Sequence, residues 1–559
     1  MWARYARVYR SAVVEDPITH KGKTSELGRS RVWPGSYRAG PQREGDEPKP
    51  MMNEREKSDP AVVAGKSANE PGQPAEEQME PRAGAEGNAS RQSTLRALDR
   101  AGVSQALGRI RKAARESKKE KFTALLHHVD VRLLRESYLT LKRDAAPGVD
   151  GMTWEDYGLD AESRLVGLHE RIHRGAYRAQ PSRRVMIPKA DGKQRPLAIA
   201  ALEDKIVQKA TLAVLNSIYE EDFLGFSYGF RPKRSQHDAL DALTVGITAK
   251  RVNFILDADI RSFFDTVDQR WLIKFLEHRI GDKRILRLIQ KWLKVGVLED
   301  RIVTASETGT GQGAVISPLL ANIYLHYVFD LWAEQWRKRE ARGEMIMVRY
   351  ADDIILGFEH EVEARRFLEA MRERLRKYSL TLHPDKTRLL AFGRFAADQL
   401  ARIGLGKPET FNFLGFTFIS GKSREGKFLV RRKSRRDRVK AKLKEIKVAL
   451  RANMHKPIPE QGSWLGQVVR GYFAYHAVPT NLGTLVAFHH YVSDLWLRTL
   501  RRRSQKDRKA WTDMTKLVAQ WLPRPRIQHP WPNQRFAVKY PRWKPDAGKP
   551  HVRFCAGGA

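Results

Sequence analysis

Two short stretches put carboxylates where a chain would normally keep them apart. In "MVRYADDIILGF", Met347 to Phe358, Asp352 and Asp353 stand side by side between two apolar runs. In "VNFILDADIRSFFDTVD", a β-rich apolar run meets charge at Asp257 and Asp259. Adjacent like charges repel unless a cation sits between them and a further acid. Mg2+ takes oxygen ligands of this kind together with substrate phosphates. Side chains two apart on a strand share a face, so either Asp257 or Asp259 could complete the set. A strand carboxylate facing a carboxylate pair at a hairpin tip is the arrangement that two-metal phosphoryl transfer needs. The plain alternative, an incidental Asp-Asp in a surface turn, is weakened by the company the pair keeps.

Such acids need strands to present them. "MIMVRY" and "IILGF" read as buried strands around a tight turn, which puts Asp352 and Asp353 at a hairpin tip. "RRVMIPKADGKQRPLAIA" reads as two more strands joined by Ala190-Asp191-Gly192. Helical stretches lie between, such as "LHHVDVRLLRESYLTLKRD", which ends at the Pro/Gly turn of "AAPGVDG". The fold class is therefore α+β through about Phe395. After Phe418 the character changes: 14 of the 30 residues from Lys422 to Arg451 are Lys or Arg. Val439, Leu443, Ile446 and Leu450 draw one apolar stripe along a very basic helix. "LWLRTLRRRSQKDRKAW" predicts a second basic helix. The tail "WLPRPRIQHPWPNQRF" predicts an irregular segment wrapped on a partner surface.

Composition narrows the partners. Among 559 residues, 102 are Lys or Arg against 65 Asp or Glu, a formal charge of +37. The excess is spread over hundreds of positions, which points to a polyanion such as nucleic acid rather than to a membrane surface. The single cysteine, Cys555, excludes a disulfide framework and any Cys-pair zinc site. No apolar run is long enough to span a membrane and no secretory signal is visible, so the expectation is a soluble intracellular protein without membrane partners. No aromatic residue occurs from Arg38 to Lys121, and residues 1–95 are expected to be a disordered extension. Met51-Met52 inside it is a candidate translation start.

Read in order, "GVDG", "IPKADGKQRPLAI", "SYGFRP", "DADIRSFFDTVD", "GTGQGAVISPLLANIYL", "RYADD", "LTLHPDKTRLLAF" and "FNFLGF" resemble the successive blocks of the bacterial group II intron-encoded reverse transcriptase/maturase. The resemblance runs from about Lys119 to Phe536. It implies a right-hand polymerase, with fingers and palm over residues 96–420, a helical thumb or maturase X domain over 421–540, and a tail at 541–559. Matched block by block, Asp259, Asp352 and Asp353 become the catalytic, metal-holding acids, and Asp257 a supporting one. Two Mg2+ ions are implied, with Mn2+ able to substitute. Phe264 matches the aromatic that rejects a 2′-hydroxyl. Lys189 and Arg195 match the pair that clamps the triphosphate, and Gln312 lines the nucleotide pocket. Lys386 matches a lysine that protonates the leaving pyrophosphate; a solvent-exposed turn lysine is the plain alternative. "FNFLGF" resembles the primer-gripping turn. The family usually writes its second block with proline where Gly311 stands, and glycine there loosens the loop.

The X-domain resemblance implies RNA contacts at Arg431, Arg432, Arg435 and Arg436, and at Arg501, Arg502 and Arg503, dominated by phosphate. The implied partners are the group II intron RNA, an RNA template with a DNA primer, target DNA and dNTPs; a homodimer is left open. The implied location is a nucleoid-associated ribonucleoprotein in the bacterial cytoplasm. No HNH endonuclease block follows Phe536, which implies priming from an existing DNA 3′ end. A maturase whose polymerase had decayed would lack one of the three acids, and all three stand. A retron, diversity-generating or defence-associated enzyme would lack the long thumb and the "HPWP..RF" tail, and both are present.

Overall fold

The structure, a computed structural model, describes residues 89–188, 194–299, 302–304, 308–311, 313–404, 406–504 and 509–539, with the backbone alone for 89–100, 188, 195 and 539. Residues 1–88 of the expected disordered segment lie outside the described residues, whereas from Ala89 the chain is helical: α1 spans Ala89–Glu116. Helices α2 (Leu202–Asp222) and α3 (Gln236–Ala249) follow the first strand pair. Then come α4 (Ser317–Leu325), α5 (Glu361–Lys377), α6 (Arg436–Ala452), α7 (Ile458–His476), α8 (Leu482–Arg501), α9 (Trp511–Trp521) and α10 (Pro532–Lys539), with shorter helices between. Among the described residues no helix is long and apolar enough to cross a membrane.

The strands among the described residues form three sheets. One joins β1 (Ser182–Pro188), β2 (Gln194–Ile199), β4 (Val297–Glu299) and β5 (Ile302–Thr304) in the order β2-β1-β4-β5. The expected hairpin is present, with β1 antiparallel to β2, although its turn lies outside the described residues. The central sheet has the order β6-β7-β3-β8, from β3 (Phe254–Asp259), β6 (Met345–Tyr350), β7 (Asp353–Phe358) and β8 (Arg388–Ala391). The third holds β9 (Phe411–Phe413), β10 (Phe416–Lys422) and β11 (Phe428–Ser434). The expected boundary at 420/421 thus falls inside β10.

The central sheet is apolar on both faces because both are covered, which is why its strands read as unbroken apolar runs. Alternate residues enter different cores. Leu256, Ala258, Met347, Ile354 and Leu356 face one side, packed with α5 residues such as Phe367 and Leu375. Ile255, Ile346, Val348 and Ile355 face the other, against Leu240 and Leu243 of α3 and Phe411, Phe416 and Phe418 of the third sheet. Helix α3 starts on a capping box in which Ser235 and Asp238 satisfy each other's backbone N–H groups. The apolar stripe on α6 is met as expected: Ile446 and Leu450 are buried and Val439 and Leu443 pack beside them in a third core.

Two expectations for the C-terminal region are corrected. The second basic helix ends at Arg501, a separate helix begins at Trp511, and residues 505–508 lie outside the described residues. The tail is irregular from Pro523 to Trp531, as expected, and then docks on the chain itself. It packs on the chain's own α3, with Phe536 buried in the second core, and residues 532–539 are helical, with Pro532 at the first position, where its missing N–H costs nothing.

Candidate active site

Strand β3 delivers Asp259 at its last position, and β7 opens with Asp353. In the antiparallel ladder these residues are direct partners, so their side chains meet across the strand pair. Tyr350 pairs with Asp353, leaving Ala351 and Asp352 as the two residues of a hairpin turn. That turn needs positive φ at its first central position, and Ala351 supplies it at 56°. A residue with a Cβ pays about 1–2 kcal/mol for this conformation, so something must hold it.

Arg349 holds it. The guanidinium is fully buried and places all five N–H donors. Nε and one terminal nitrogen bind Asp330 at 2.7 and 2.5 Å. The remaining three donors reach Asn322 Oδ1 at 3.0 Å, the Ala351 carbonyl at 3.1 Å and Ser227 Oγ at 2.7 Å. Asn322 in turn donates to the Gly229 carbonyl at 2.7 Å. Gly229 lies flush on the turn: a Cβ there would stand 2.2 Å from the Ala351 nitrogen. Asp330 ends a π-helical stretch, His326–Asp330, inserted after α4. Sequence reasoning missed Arg349, Asp330, Asn322, Ser227 and Gly229. The available signal was an arginine closing the apolar run "MIMVR", since a buried charge demands a partner.

The segment "LTLHPDK" runs beside β3, with His383 N donating to the Asp259 carbonyl at 2.8 Å and Ile260 bridged to Leu382. It brings Lys386 Nζ to 2.6 Å from Asp259 Oδ2, with the lysine itself largely exposed. Asp257 shares the β3 face and has Arg388 at 4.0 Å. Its carboxyl is pushed up to about 6 by burial and then by Asp259, against Arg388. The Asp353 side chain opens to solvent in front while protein crowds it from behind. Desolvation first, then the charges of Asp352, Asp259 and Asp257, raise it from 3.8 to about 7, with Lys386 pulling the other way.

The donors in this corner are all carboxylate oxygens, which suits a hard divalent cation. The Asp353 carboxyl is raised first by burial and then by the three acids around it, which Lys386 only partly offsets. Yet among the described residues no three acidic, histidine or cysteine side chains are already gathered as a metal cluster, and the Lys386 ammonium takes one Asp259 oxygen. The fold thus brings Asp259 and Asp353 into one register, with Lys386 as a resident counter-charge.

Phe264 follows a left-handed Ser262 (φ 46°) and lies edge-on to Phe230 and Phe263. Its carbonyl accepts from Thr310 N at 3.0 Å, which ties the "GTGQG" stretch to "DADIRSFFDTVD". Beside it opens a cavity of about 420 Å³, lined also by Leu197, Asp265, Gly309 and Gly311. Arg195 lies on β2 opposite Ile187, with only its backbone described, and Lys189 and Gln312 lie outside the described residues. Gly311 takes φ 65°, which proline's ring forbids, so the departure from the family pattern belongs to a different backbone path. Ser317 at the head of α4 donates to the Thr310 and Gly311 carbonyls and anchors that path.

The arginines divide. Arg431, Arg436, Arg501 and Arg502 are exposed; Arg435 pairs with Asp437 at 2.7 Å, and Arg503 donates to the Met454 carbonyl at 2.7 Å. Arg432 must be corrected: it is buried and bound to Asp241 at 2.8 Å, out of reach of RNA. Strand alternation on β11 turns it inward and turns Lys433, which the sequence pattern alone did not single out, outward.

Comparison with known proteins accords with this geometry. Residues 187–418 match the reverse transcriptase (RNA-dependent DNA polymerase) family. Over 326 residues the chain is 35% identical to protein YkfC of Escherichia coli strain K12, covering 52% of this chain and 81% of that protein. Over 320 residues it is 31% identical to the group II intron-encoded protein LtrA of Lactococcus lactis, covering 54% of this chain and 52% of LtrA. A 91 kDa protein in the cob intron of Schizosaccharomyces pombe is 29% identical over 272 residues, 48% of this chain and 33% of that protein. The chain therefore spans about half of LtrA and less of the yeast protein. It belongs to the reverse transcriptase family, the RNA-directed DNA polymerases, together with group II intron-encoded relatives.

Two outcomes follow from the site. Arg349→Met removes the buried charge together with its five donors and leaves Asp330 uncompensated, a loss of about 3–5 kcal/mol. Urea denaturation should show a drop of that order, with polymerase activity down at least about tenfold at temperatures where the variant is folded. Asp353 is an acid whose native pKa lies above its unfolded value. Its protonated form therefore favours the fold below about pH 4, and that advantage is lost as pH rises through about 7. In EDTA, Asp353→Asn should raise Tm over wild type more at pH 8 than at pH 5; an equal gap at both would show the acid to be unperturbed.

Proposed function

We propose that this protein copies RNA into DNA at the Asp259–Asp352–Asp353 corner and, as a maturase, grips a group II intron RNA with its basic C-terminal region. The observation that carries the reading is the cross-strand pairing of Asp259 with Asp353, with Asp352 in the adjoining turn, inside the segment that matches the family. Asp259, Asp352 and Asp353 would hold two Mg2+ ions, or Mn2+ in their place. When bound, the ions supply positive charge for the attacking 3′-hydroxyl and the triphosphate. Phe264 closes the side of the nucleotide cavity and rejects a 2′-hydroxyl. Lys189 and Arg195 clamp the triphosphate, and Gln312 lines its pocket. Lys386 exchanges its Asp259 contact for the leaving pyrophosphate oxygen and delivers a proton there. Residues 96–420 form the fingers and palm and 421–540 the thumb and X domain, joined through β10.

The substrates of this reading are dNTPs and an RNA template with a DNA primer. With intron RNA and target DNA as partners, the same site supports retrohoming by target-primed synthesis from a DNA 3′ end. Working at the bacterial nucleoid as a ribonucleoprotein, as monomer or homodimer, suits the charge of +37. Two measurements test it. With poly(rA)/oligo(dT), dTTP and Mg2+, wild type should make DNA and Asp353→Ala should fall to background. A wild type as inert as that variant removes the polymerase. For RNA, replacing Arg431, Lys433, Arg435 and Arg436 with Ala should lower the log–log salt slope by roughly 0.7–0.9 for each phosphate no longer neutralised. Arg432→Ala should destabilise the fold and leave the slope of the folded fraction intact. An unchanged slope in the fourfold variant removes the RNA surface.

A further inference from the structure

The turn between β9 and β10 is itself strained. Phe413 pairs with Phe416, and the two residues between them, Leu414 and Gly415, both take positive φ, 45° and 77°. A two-residue hairpin loop of this form favours Asn-Gly, and leucine in its first position is held there only by its surroundings. The hydrogen bond that holds it comes from another part of the chain. Tyr475, near the end of α7, donates its hydroxyl to the Leu414 carbonyl at 2.8 Å, and Arg435 N donates to the Gly415 carbonyl at 3.0 Å. The Tyr475 ring rests against Phe416 and His237, at 5.6 and 5.0 Å between centroids.

The end of α7 is in turn held by the tail. His529 Nε2 meets the Ala474 carbonyl at 2.7 Å, and the backbone N–H groups of Gln528 and His529 reach the Ala477 carbonyl at 3.0 and 3.2 Å. With Nε2 donating, Nδ1 of His529 is the acceptor, and Arg535 donates to it at 2.8 Å. The His529 ring lies 4.0 Å from that of His237 on α3. Arg535 Nε is 3.3 Å from Asp241, the buried α3 acid that also binds Arg432 of β11. Tail, palm helix and α7 thus close around Tyr475.

We propose that Tyr475 is a positioning residue for the primer strand: it fixes the strained Leu414–Gly415 turn, and residues 528–536 fix Tyr475. The proposal rests on the reading that this turn grips the primer. It assigns the tail a part in polymerisation, separate from any contact with intron RNA.

The test uses the full chain on poly(rA)/oligo(dT), with KM for primer–template and KM for dTTP measured separately beside kcat and Tm. Tyr475→Phe keeps the ring and removes one hydrogen bond, so KM for primer–template should rise about fivefold. KM for dTTP should stay within about twofold and Tm close to wild type, since one hydrogen bond is a small part of the fold. Arg535→Ala should show the same selective rise. A Tyr475→Phe enzyme with unchanged primer–template KM, or with the rise in dTTP KM instead, overturns the proposal. Gly415→Ala strains the turn itself and separates the two layers. If it too leaves primer–template KM unchanged, the primer-grip reading falls. If it raises that KM while Tyr475→Phe does not, only the part assigned to Tyr475 and the tail falls.

Discussion

The buried pair of Arg349 and Asp330 is the constraint on which the corner of Asp259, Asp352 and Asp353 depends. Neither side chain has any exposure, and burial pushes Asp330 toward its neutral form while Arg349 opposes that push. Removing a charge from such a site leaves its partner uncompensated in a medium where that is severe. The pair therefore has one arrangement, and through the remaining Arg349 donors so do Ser227, Asn322 and the Ala351 carbonyl. The mutually repelling acids of the turn are held by the network behind them rather than by contacts among themselves. Gly229 closes the lock, because any side chain there would displace the Ala351 backbone.

The charge of the protein is divided by sign. Around Asp257, Asp259 and Asp353 burial raises two carboxyls to about 6 and about 7, and the neighbouring acids push Asp353 further in the same direction. Elsewhere the chain is strongly cationic, with β11 and the start of α6 presenting Arg431, Lys433 and Arg436 to solvent. A cationic surface of this kind attracts polyanions, whereas the corner of Asp257, Asp259 and Asp353 gathers acids. Lys386, exposed yet bound to Asp259, sits where these two regimes meet.

The central sheet and its acids were legible in the sequence because their signals are local. Apolar runs of strand length, a tight turn and acids at its tip all lie within a dozen residues, and the pairing of Asp259 with Asp353 is the register those strands share. What stayed hidden is set by residues distant in sequence. Asp330 is 19 positions from Arg349 and Ser227 is 122, with no periodicity to link them. Arg432 could have been excluded, since in "FLVRRKS" the period-2 alternation places it on the face of Val430 and Ser434, both buried. The left-handed Gly311 was visible only as a missing proline, and the backbone reason for it required φ.

The docking of the tail bears on how the two halves of the protein can work. Its aromatic and proline content suggested a partner surface, and the surface turned out to be the palm's own α3. Phe536 and Val478 share a core with Ile255, Ile346 and Ile355 of the strands that carry the acids. The β9–β11 sheet belongs to that same core through Phe411, Phe416, Phe418 and Val430. Interiors packed to this degree transmit displacement instead of absorbing it. The basic strand β11 that presents Arg431 and Lys433 to solvent on one side is therefore bonded on its other side, through Arg432 and Asp241, to the helix behind the acid-bearing sheet. A force applied at Arg431 and Lys433 is therefore passed to the core behind Asp259 and Asp353, so the basic strand and the acidic corner cannot be set independently.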